Sequence, residues 1–328
     1  MSKPRVFITR LIPDRGLNMI RQACLVDLWP ENLPPSHTDL LKRVKGVDGI
    51  LCLLTDTIHS EVMEAAGTQL KVISNHAIGY DNIDISAATQ RGIQVGNTPN
   101  VLTETTADFT FALLLAVARR VVDGQQVVRT GGWKTWDPLF MLGVDVHHAT
   151  LGIFGFGRIG RAVARRASGF DMNVLFFDPT PDQSAKTAPL NAKAVNMDTL
   201  LAESDFISIH SPLNEQTHYL FNQSLFAKMK PGAILINTAR GGIVDPEALY
   251  QALKEHRIAF AALDVTEPEP LPQDSPLLSL NNILITPHIA SASHATREKM
   301  SVMAAENLLA GVNGKGLLYC VNPQVYMK

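Results

Sequence analysis

The sequence predicts a two-domain α/β protein built on parallel sheets, and three observations carry that expectation. The chain is 328 residues long, about two domains at roughly 150 residues each. Short apolar runs alternate with helical patterns from end to end, as strands and crossover helices do. A glycine-rich strand–turn–helix, Leu151 to Gly160, stands near the middle of the chain.

The first hundred residues read as a small α/β unit. Strands are expected at Arg5–Thr9, Gly49–Leu54, Lys71–Ser74 and Ile93–Gly96, with helices at Leu17–Ala23, Thr38–Val44 and Ser60–Ala66. The segment Gly96-Asn97-Thr98-Pro99-Asn100 then breaks the periodicity and marks a boundary. One long helix is expected from Leu102 to Val122; its centre, FTFALLLAVA, is apolar on all faces and must be buried on several sides. Trp133 and Trp136 lie in the looser segment that follows. Two large aromatics in a loop call for a cover, so residues 102–148 read as a dimerisation helix and arm. From Thr150 onward the expected strands are Leu151–Phe154, Asn173–Phe177, Phe206–His210, Ala233–Asn237, Phe260–Val265 and Ile283–Thr286. They are near-continuous apolar runs, as in a sheet covered on both faces. Asp245-Pro246 opens one helix as N-cap and first-turn proline, and a last helix is expected over Ser293–Gly311.

Composition removes several function classes. Hydrophobic residues make up 46% and charged residues 18%, which excludes a mainly disordered chain. With 29 basic and 31 acidic side chains the net charge is -2, without the basic excess of a phosphate-neutralising nucleic-acid binder. No apolar run approaches ~18 residues, so no membrane span is expected, and the N-terminus lacks the apolar stretch of a signal peptide. Cys24, Cys52 and Cys320 have no metal-ligand or redox spacing, which fits reduced thiols in the cytoplasm.

Gly155, Gly157 and Gly160 form G-x-G-x-x-G between a strand and a helix. The first glycine permits the tight turn, the second a close backbone approach to a pyrophosphate, and the third close helix–strand packing. The helix N-terminus, with Arg158 and Ile159 in its first turn, then faces the phosphates with unpaired N–H groups. Asp178 ends the next strand, 18 residues beyond Gly160, where a carboxylate can accept from a ribose 2′-hydroxyl. A carboxylate would repel a 2′-phosphate, and nothing basic follows in Pro179-Thr180-Pro181-Asp182-Gln183. NAD is therefore favoured over NADP.

In an open parallel sheet ligands bind beyond the carboxyl ends of the strands. Those ends carry His210-Ser211-Pro212, then Thr238 and Arg240, then Asp264 with Glu267 and Glu269, and finally His288 and Ser291. Taken singly, each has a bland reading as surface charge, turn cap or buried histidine; together they point to one crevice. A metal site is not expected: His147 and His148 are adjacent, and His288 and His294 are six apart rather than the four used on a zinc-binding helix.

These residues resemble the D-isomer-specific 2-hydroxyacid dehydrogenases along nearly the whole chain. The shared marks are GFGRIG, INTARGGIVDPEAL, LDVTEPEPLP and TPHIASAS. The arm GGWKTWDPLFMLG and the SHATREKM region are most similar to the glyoxylate/hydroxypyruvate reductases within that family. The resemblance implies two doubly wound parallel-sheet domains, Rossmann-like and flavodoxin-like, with a cleft between them. It implies a discontinuous substrate domain of residues 1–100 and 292–328, an NAD-binding domain of residues 101–291, and a homodimer. By position it implies Arg240, Glu269 and His288 as the catalytic residues. It places Asp264 near the nicotinamide, with Thr105, Pro212 and Thr238 as further cofactor contacts. Ile78 and Gly79, in HAIGYDNID, would receive the substrate carboxylate through their backbone, and Ser291 and Trp136 would line the substrate. The implied reaction is reduction of a small 2-oxoacid, glyoxylate or hydroxypyruvate, with no nucleic acid or membrane partner. Two alternatives stand beside it. Phosphite dehydrogenases share the catalytic trio but place a lysine where this chain has Ile78, and NAD-sensing corepressors share the trio but carry longer interaction tails.

Overall fold

The computed structural model describes residues 3–179 and 191–327. The chain divides into two compact units, residues 1–102 with 292–328, and residues 103–291.

In the first unit, β1 (Arg5–Ile8), α1 (Asp14–Ala23), β2 (Leu25–Leu28), α2 (His37–Arg43), β3 (Gly49–Cys52), α3 (Ser60–Ala66), β4 (Val72–Asn75), α4 (Ile85–Gln90) and β5 (Gln94–Gly96) follow in order. The strands form one parallel sheet in the order β2-β1-β3-β4-β5, which is the flavodoxin-like arrangement. Successive strand residues point to opposite faces. Val6 and Ile8 thus join Leu17, Ile20, Ala304, Ala305 and Leu308 on one side, while Phe7 joins Leu40, Val62 and Ile73 on the other.

The late residues of the first group belong to α11 (His294–Val312), so the C-terminal segment completes this core. Its fit is close: a Cβ on Gly16 of α1 would overlap the Ser301 carbonyl. Beyond the helix, buried Asn322 ties the tail to β5. Its Oδ1 accepts from the Val95 N–H at 2.8 Å, and its Nδ2 donates to the Ile93 carbonyl and the Thr89 hydroxyl, each at 2.9 Å.

His76, just past β4, is buried at 5% exposure. Burial, with the Arg297 charge beside it, lowers its pKa from 6.5 to about 4. The unfolded chain therefore binds one more proton than the folded chain between those values. This contribution to stability is complete above pH 6.5 and is lost as pH falls toward 4. The slope is about 1.4 kcal/mol per pH unit. Denaturant unfolding of His76→Phe across that window should show a shallower acid dependence than the parent by about one proton; an unchanged slope would remove His76 from the account.

The second unit contains α5 (Thr103–Ala118), α6 (Val121–Arg129), β6 (Thr150–Phe154), α7 (Arg158–Ala167), β7 (Asn173–Phe177), β8 (Ala192–Ala194), α8 (Met197–Glu203), β9 (Phe206–Ile209), α9 (Gln223–Phe226), β10 (Ile234–Asn237), α10 (Pro246–Lys254), β11 (Phe260–Leu263) and β12 (Ile283–Ile285). Its parallel sheet runs β12-β11-β10-β9-β6-β7-β8. Strand order reverses at β6, between β9 and β7, which is the switch point of a Rossmann sheet.

Four elements differ from the sequence expectation. The single helix over 102–122 is two helices, because Arg120 adopts a left-handed φ of 51°. The Val144 N–H donates to the Ala118 carbonyl at 2.8 Å, ending α5 where a continuous helix would have used that acceptor itself. Gly143 makes this return close: a Cβ there would overlap the same carbonyl. The otherwise apolar α5 packs as expected, with Phe111, Leu114 and Val117 buried among residues of β6, β10 and β11. The strands β2 and β8 and the helix α4 are additional to the reading. β2 and β8 are short and lie at sheet edges, where period and propensity carry little signal. α4 has six residues, fewer than two turns, and is announced only by its Asp84 cap on the Ala87 N–H.

Candidate active site

The carboxyl ends of β6, β7 and β9–β12 carry the polar residues singled out in the sequence. At the end of β6, Gly155 has φ +90° and sits so close to the next strand that a Cβ would come within 2.7 Å of the His210 carbonyl carbon. Its N–H donates to the Phe177 carbonyl at 2.9 Å. A Cβ on Gly160 would overlap the Gly155 carbonyl, whereas a Cβ on Gly157 would meet nothing within 4 Å. The first and third glycines are thus required by the protein's own packing, and the middle one faces open space, as a dinucleotide pyrophosphate needs. Gly157 is also the N-cap of α7, with Arg158 and Ile159 as its first two helical residues. Asp178 follows β7, and its Oδ2 accepts from the Phe156 N–H at 2.7 Å, fixing the carboxylate against the turn. These residues fit a bound dinucleotide. The segment from Thr180 to Gln183, part of the argument for NAD, lies outside the described residues.

Arg240 follows β10, where its Nη1 donates to the Ala239 carbonyl at 2.8 Å. The next residue, Gly241, presses on the loop after β11; a Cβ there would overlap the Thr266 carbonyl. That second loop carries Glu269, which accepts from the Thr266 N–H at 3.4 Å. His288 follows β12 with φ +55°. Its Nδ1 lies 2.6 Å from Glu269 Oε1. Partial burial raises the Glu269 carboxyl, but the His288 hydrogen bond and charge, the Thr266 N–H and the Arg240 guanidinium outweigh it and hold the group below its usual range. The pair is half-buried, with side-chain exposures of 22% for His288 and 34% for Glu269. With Nδ1 engaged, Nε2 is the ring nitrogen left for proton exchange.

Asp264, almost fully buried, holds the His288 loop in shape. Its Oδ1 accepts from the Thr286 hydroxyl at 2.6 Å and the Ile289 N–H at 2.9 Å. Its Oδ2 accepts from the Ala290 N–H at 2.7 Å, and its carbonyl accepts from the His288 N–H at 2.8 Å. The left-handed backbone at His288 is over-determined by these bonds, as strained positions in functional sites are. His210 lies 2.7 Å from the Ser208 hydroxyl through its Nε2. Burial lowers its pKa to about 3, so it stays neutral beneath the glycine turn.

The remaining sequence candidates belong to both units. Thr238 is buried and its hydroxyl pairs with that of Thr110 on α5 at 3.0 Å. Thr105 lies in the first turn of α5, and the Pro212 carbonyl accepts from the Thr217 hydroxyl at 2.8 Å. Ser291 is buried at the last position of this unit. Ile78 and Gly79 belong to the first unit. Their carbonyls accept from the Asn97 and Asn75 side chains, each at 2.8 Å, which sets the loop. Trp136 stands 78% exposed in the arm. Among the described residues no cluster of three or more His, Cys, Asp or Glu is arranged to hold a metal, and no helix is long and apolar enough to cross a membrane. The sequence reading passed over Asn237, Thr266 and Thr286, which build the loops rather than carry charge. The signal for Asn237 was there: an asparagine closing a strand just before a turn.

Comparison with known proteins agrees with this fold. Residues 111–290 match the family model for the D-isomer specific 2-hydroxyacid dehydrogenase, NAD binding domain. A glyoxylate reductase of Korarchaeum cryptofilum is 52% identical over 98% of this chain and 97% of its own length. A crystal structure of a Thermus thermophilus protein superposes with a TM-score of 0.90 at 47% identity, covering 97% of this chain and 99% of that one. An NADPH-dependent glyoxylate/hydroxypyruvate reductase from Sinorhizobium meliloti, solved with NADP and malonate, gives 0.83 at 31% identity, covering 98% and 97%. The chain belongs to the D-isomer-specific 2-hydroxyacid dehydrogenases, a family of NAD(P)-dependent oxidoreductases.

Proposed function

We propose that this chain reduces a small 2-oxoacid, glyoxylate or hydroxypyruvate, to the D-2-hydroxyacid, with NADH preferred to NADPH. The observation that carries the reading is the 2.6 Å contact between His288 Nδ1 and Glu269 Oε1, with the Arg240 charge acting on the same carboxylate. It is supported by the glyoxylate reductase names of similar chains.

Gly155, Gly157, Gly160 and the first turn of α7 would hold the dinucleotide pyrophosphate, and Asp178 its adenine ribose. The nicotinamide, when bound, supplies the hydride. As negative charge grows on the substrate carbonyl oxygen, His288 donates the proton held at Nε2. Glu269 keeps the imidazole oriented through its 2.6 Å contact with Nδ1. Arg240 forks onto the carboxylate and carbonyl oxygens, fixing the geometry and stabilising the charge. Backbone groups of Ile78 and Gly79 are the proposed receivers of the other carboxylate oxygen, and Ser291 a further substrate contact.

The test is a panel assay. Glyoxylate, hydroxypyruvate, pyruvate and 2-oxobutyrate are each offered with NADH and with NADPH, and phosphite with NAD. The highest kcat/KM is expected for glyoxylate or hydroxypyruvate with NADH. Phosphite oxidation outrunning every 2-oxoacid would replace this reading by the phosphite one, and absence of turnover throughout would leave a nucleotide-sensing role.

Asp178→Ser should narrow the preference for NADH by roughly tenfold or more, since an unfavourable charge–phosphate contact of about 1.4 kcal/mol is removed. A ratio of NADH to NADPH kcat/KM equal to the parent's would show that Asp178 does not select the cofactor. The exposed apolar series Val121, Val122, Val128, Trp133, Trp136, Leu139, Phe140, Leu142 and Val144 supports a homodimer. Light scattering on a sizing column should give twice the 35.8 kDa chain mass.

A further inference from the structure

The charged groups of the site are half-buried, but the turn that carries Arg240 is closed by a side chain with no exposure at all. Asn237 is the last residue of β10 and is 0% exposed. Its Oδ1 accepts from the Ala239 N–H at 3.0 Å, and its Nδ2 donates to the Arg240 carbonyl at 2.9 Å. One amide thus engages the turn at two successive residues, the second being Arg240 itself. The Asn237 carbonyl accepts from the Asp264 N–H at 2.9 Å, and the Asp264 carbonyl from the His288 N–H at 2.8 Å. A single row of backbone hydrogen bonds therefore runs across the strand ends from Asn237 to His288, and the Asn237 side chain suspends Arg240 from it. On its other side the turn is held by the contact of Gly241 with the Thr266 carbonyl, in the loop that carries Glu269.

A short amide offers an acceptor and a donor on separate atoms at every pH, so it can hold both backbone groups of the turn at once. An aspartate keeps the acceptor and loses the donor while ionised, and leucine has neither. Either change leaves a backbone group of the turn unpaired beside a buried side chain and frees the turn to move. We propose that Asn237 is a positioning residue for the reduction, setting where the Arg240 guanidinium meets the substrate through the backbone of residues 238–240. This rests on the role given to Arg240 above, and the experiment separates the two.

Asn237→Asp, Asn237→Leu and Arg240→Ala are compared with the parent, together with the Asn237→Asp/Arg240→Ala double variant. The readouts are kcat and KM for glyoxylate and hydroxypyruvate, NADH affinity by fluorescence, and thermal unfolding. Displacing a reacting group by about 1 Å costs up to roughly 10²-fold, so kcat/KM of Asn237→Asp should fall by about 10- to 100-fold at neutral pH, with NADH affinity held within about twofold. As pH falls, protonation of the aspartate restores a donor to the Arg240 carbonyl, and the ratio of variant to parent kcat/KM should rise; Asn237→Leu should show no such recovery. In the Arg240→Ala background the Asn237→Asp change should add less than about twofold, because coupled residues are not additive.

Parental kinetics in Asn237→Asp, or a full additional loss in the Arg240→Ala background, would overturn the proposal while leaving Arg240 in its role. A loss of NADH affinity equal to the loss in kcat/KM would do the same, by showing general damage to the unit. Parental kcat/KM in Arg240→Ala would instead overturn the clamp itself. If the aspartate variant does not fold, Asn237→Ser, smaller and uncharged, carries the same comparison of kinetics, NADH affinity and coupling.

Discussion

Replacing His288 by alanine is expected to lower turnover by roughly 10²–10⁴, the range set by removing a positioned general acid. NADH affinity should stay near the parent's, because the proposed dinucleotide contacts, the glycine turn at Gly155–Gly160 and Asp178, lie at β6, α7 and β7, away from the His288 loop in sequence and held by separate bonds. The fold should also survive. The loop around His288 is kept by Asp264 through Thr286, Ile289 and Ala290, none of which needs the imidazole. Stopped-flow mixing of enzyme, NADH and glyoxylate would separate the chemical step from binding. A near-parental rate would remove His288 as the acid. The pair has an acid-side consequence as well. The Glu269 carboxyl sits below its usual range in the folded protein, so what the pair adds to stability is present above the unfolded carboxylate's pKa and is lost as pH falls through the depressed folded value.

Arg240→Lys is expected to reduce kcat/KM by roughly 10²–10³, comparable to losing one preorganised donor at a developing oxyanion. The charge is retained, so a model in which Arg240 merely attracts an anion predicts a small effect. The guanidinium, however, presents several donors in one plane and can bind a carboxylate and a carbonyl oxygen together, whereas an ammonium is a point charge on a flexible stem. The fall should appear in kcat as well as KM, because the carbonyl contact strengthens only as charge develops. A modest rise in KM with kcat unchanged would show that Arg240 binds substrate without assisting the reaction.

Much of this site could be read from residue order. The glycine turn is a local device: a positive φ, a close strand and an open middle position are required within six residues, and few sequences other than G-x-G-x-x-G satisfy all three. Arg240, Glu269 and His288 were legible because each follows an apolar strand run, and parallel strands bring such ends to one edge. Their supports were harder to read. Asp264 drew notice as a charged residue near the nicotinamide, yet each of its carboxylate oxygens is engaged by the loop that carries His288. Asn237 drew none: an asparagine closing a strand before a turn is a signal for the turn, but nothing in it says that the two backbone partners would include Arg240. The break at Arg120 was missed for a similar reason: the Ala118 carbonyl that ends α5 is taken by the Val144 N–H, from a residue 26 positions later.

Residue order alone pointed to the oxidoreductase family to which the chain belongs, because the candidate groups stand at strand ends beside a short glycine turn, and both are written locally. Folding decided how those groups are held. The register of β10, β11 and β12 aligns the Asn237, Asp264 and His288 backbones in one hydrogen-bonded row. Alignment of that kind depends on long-range strand pairing and on satisfying every buried polar group, and neither can be computed from a residue's neighbours in the chain.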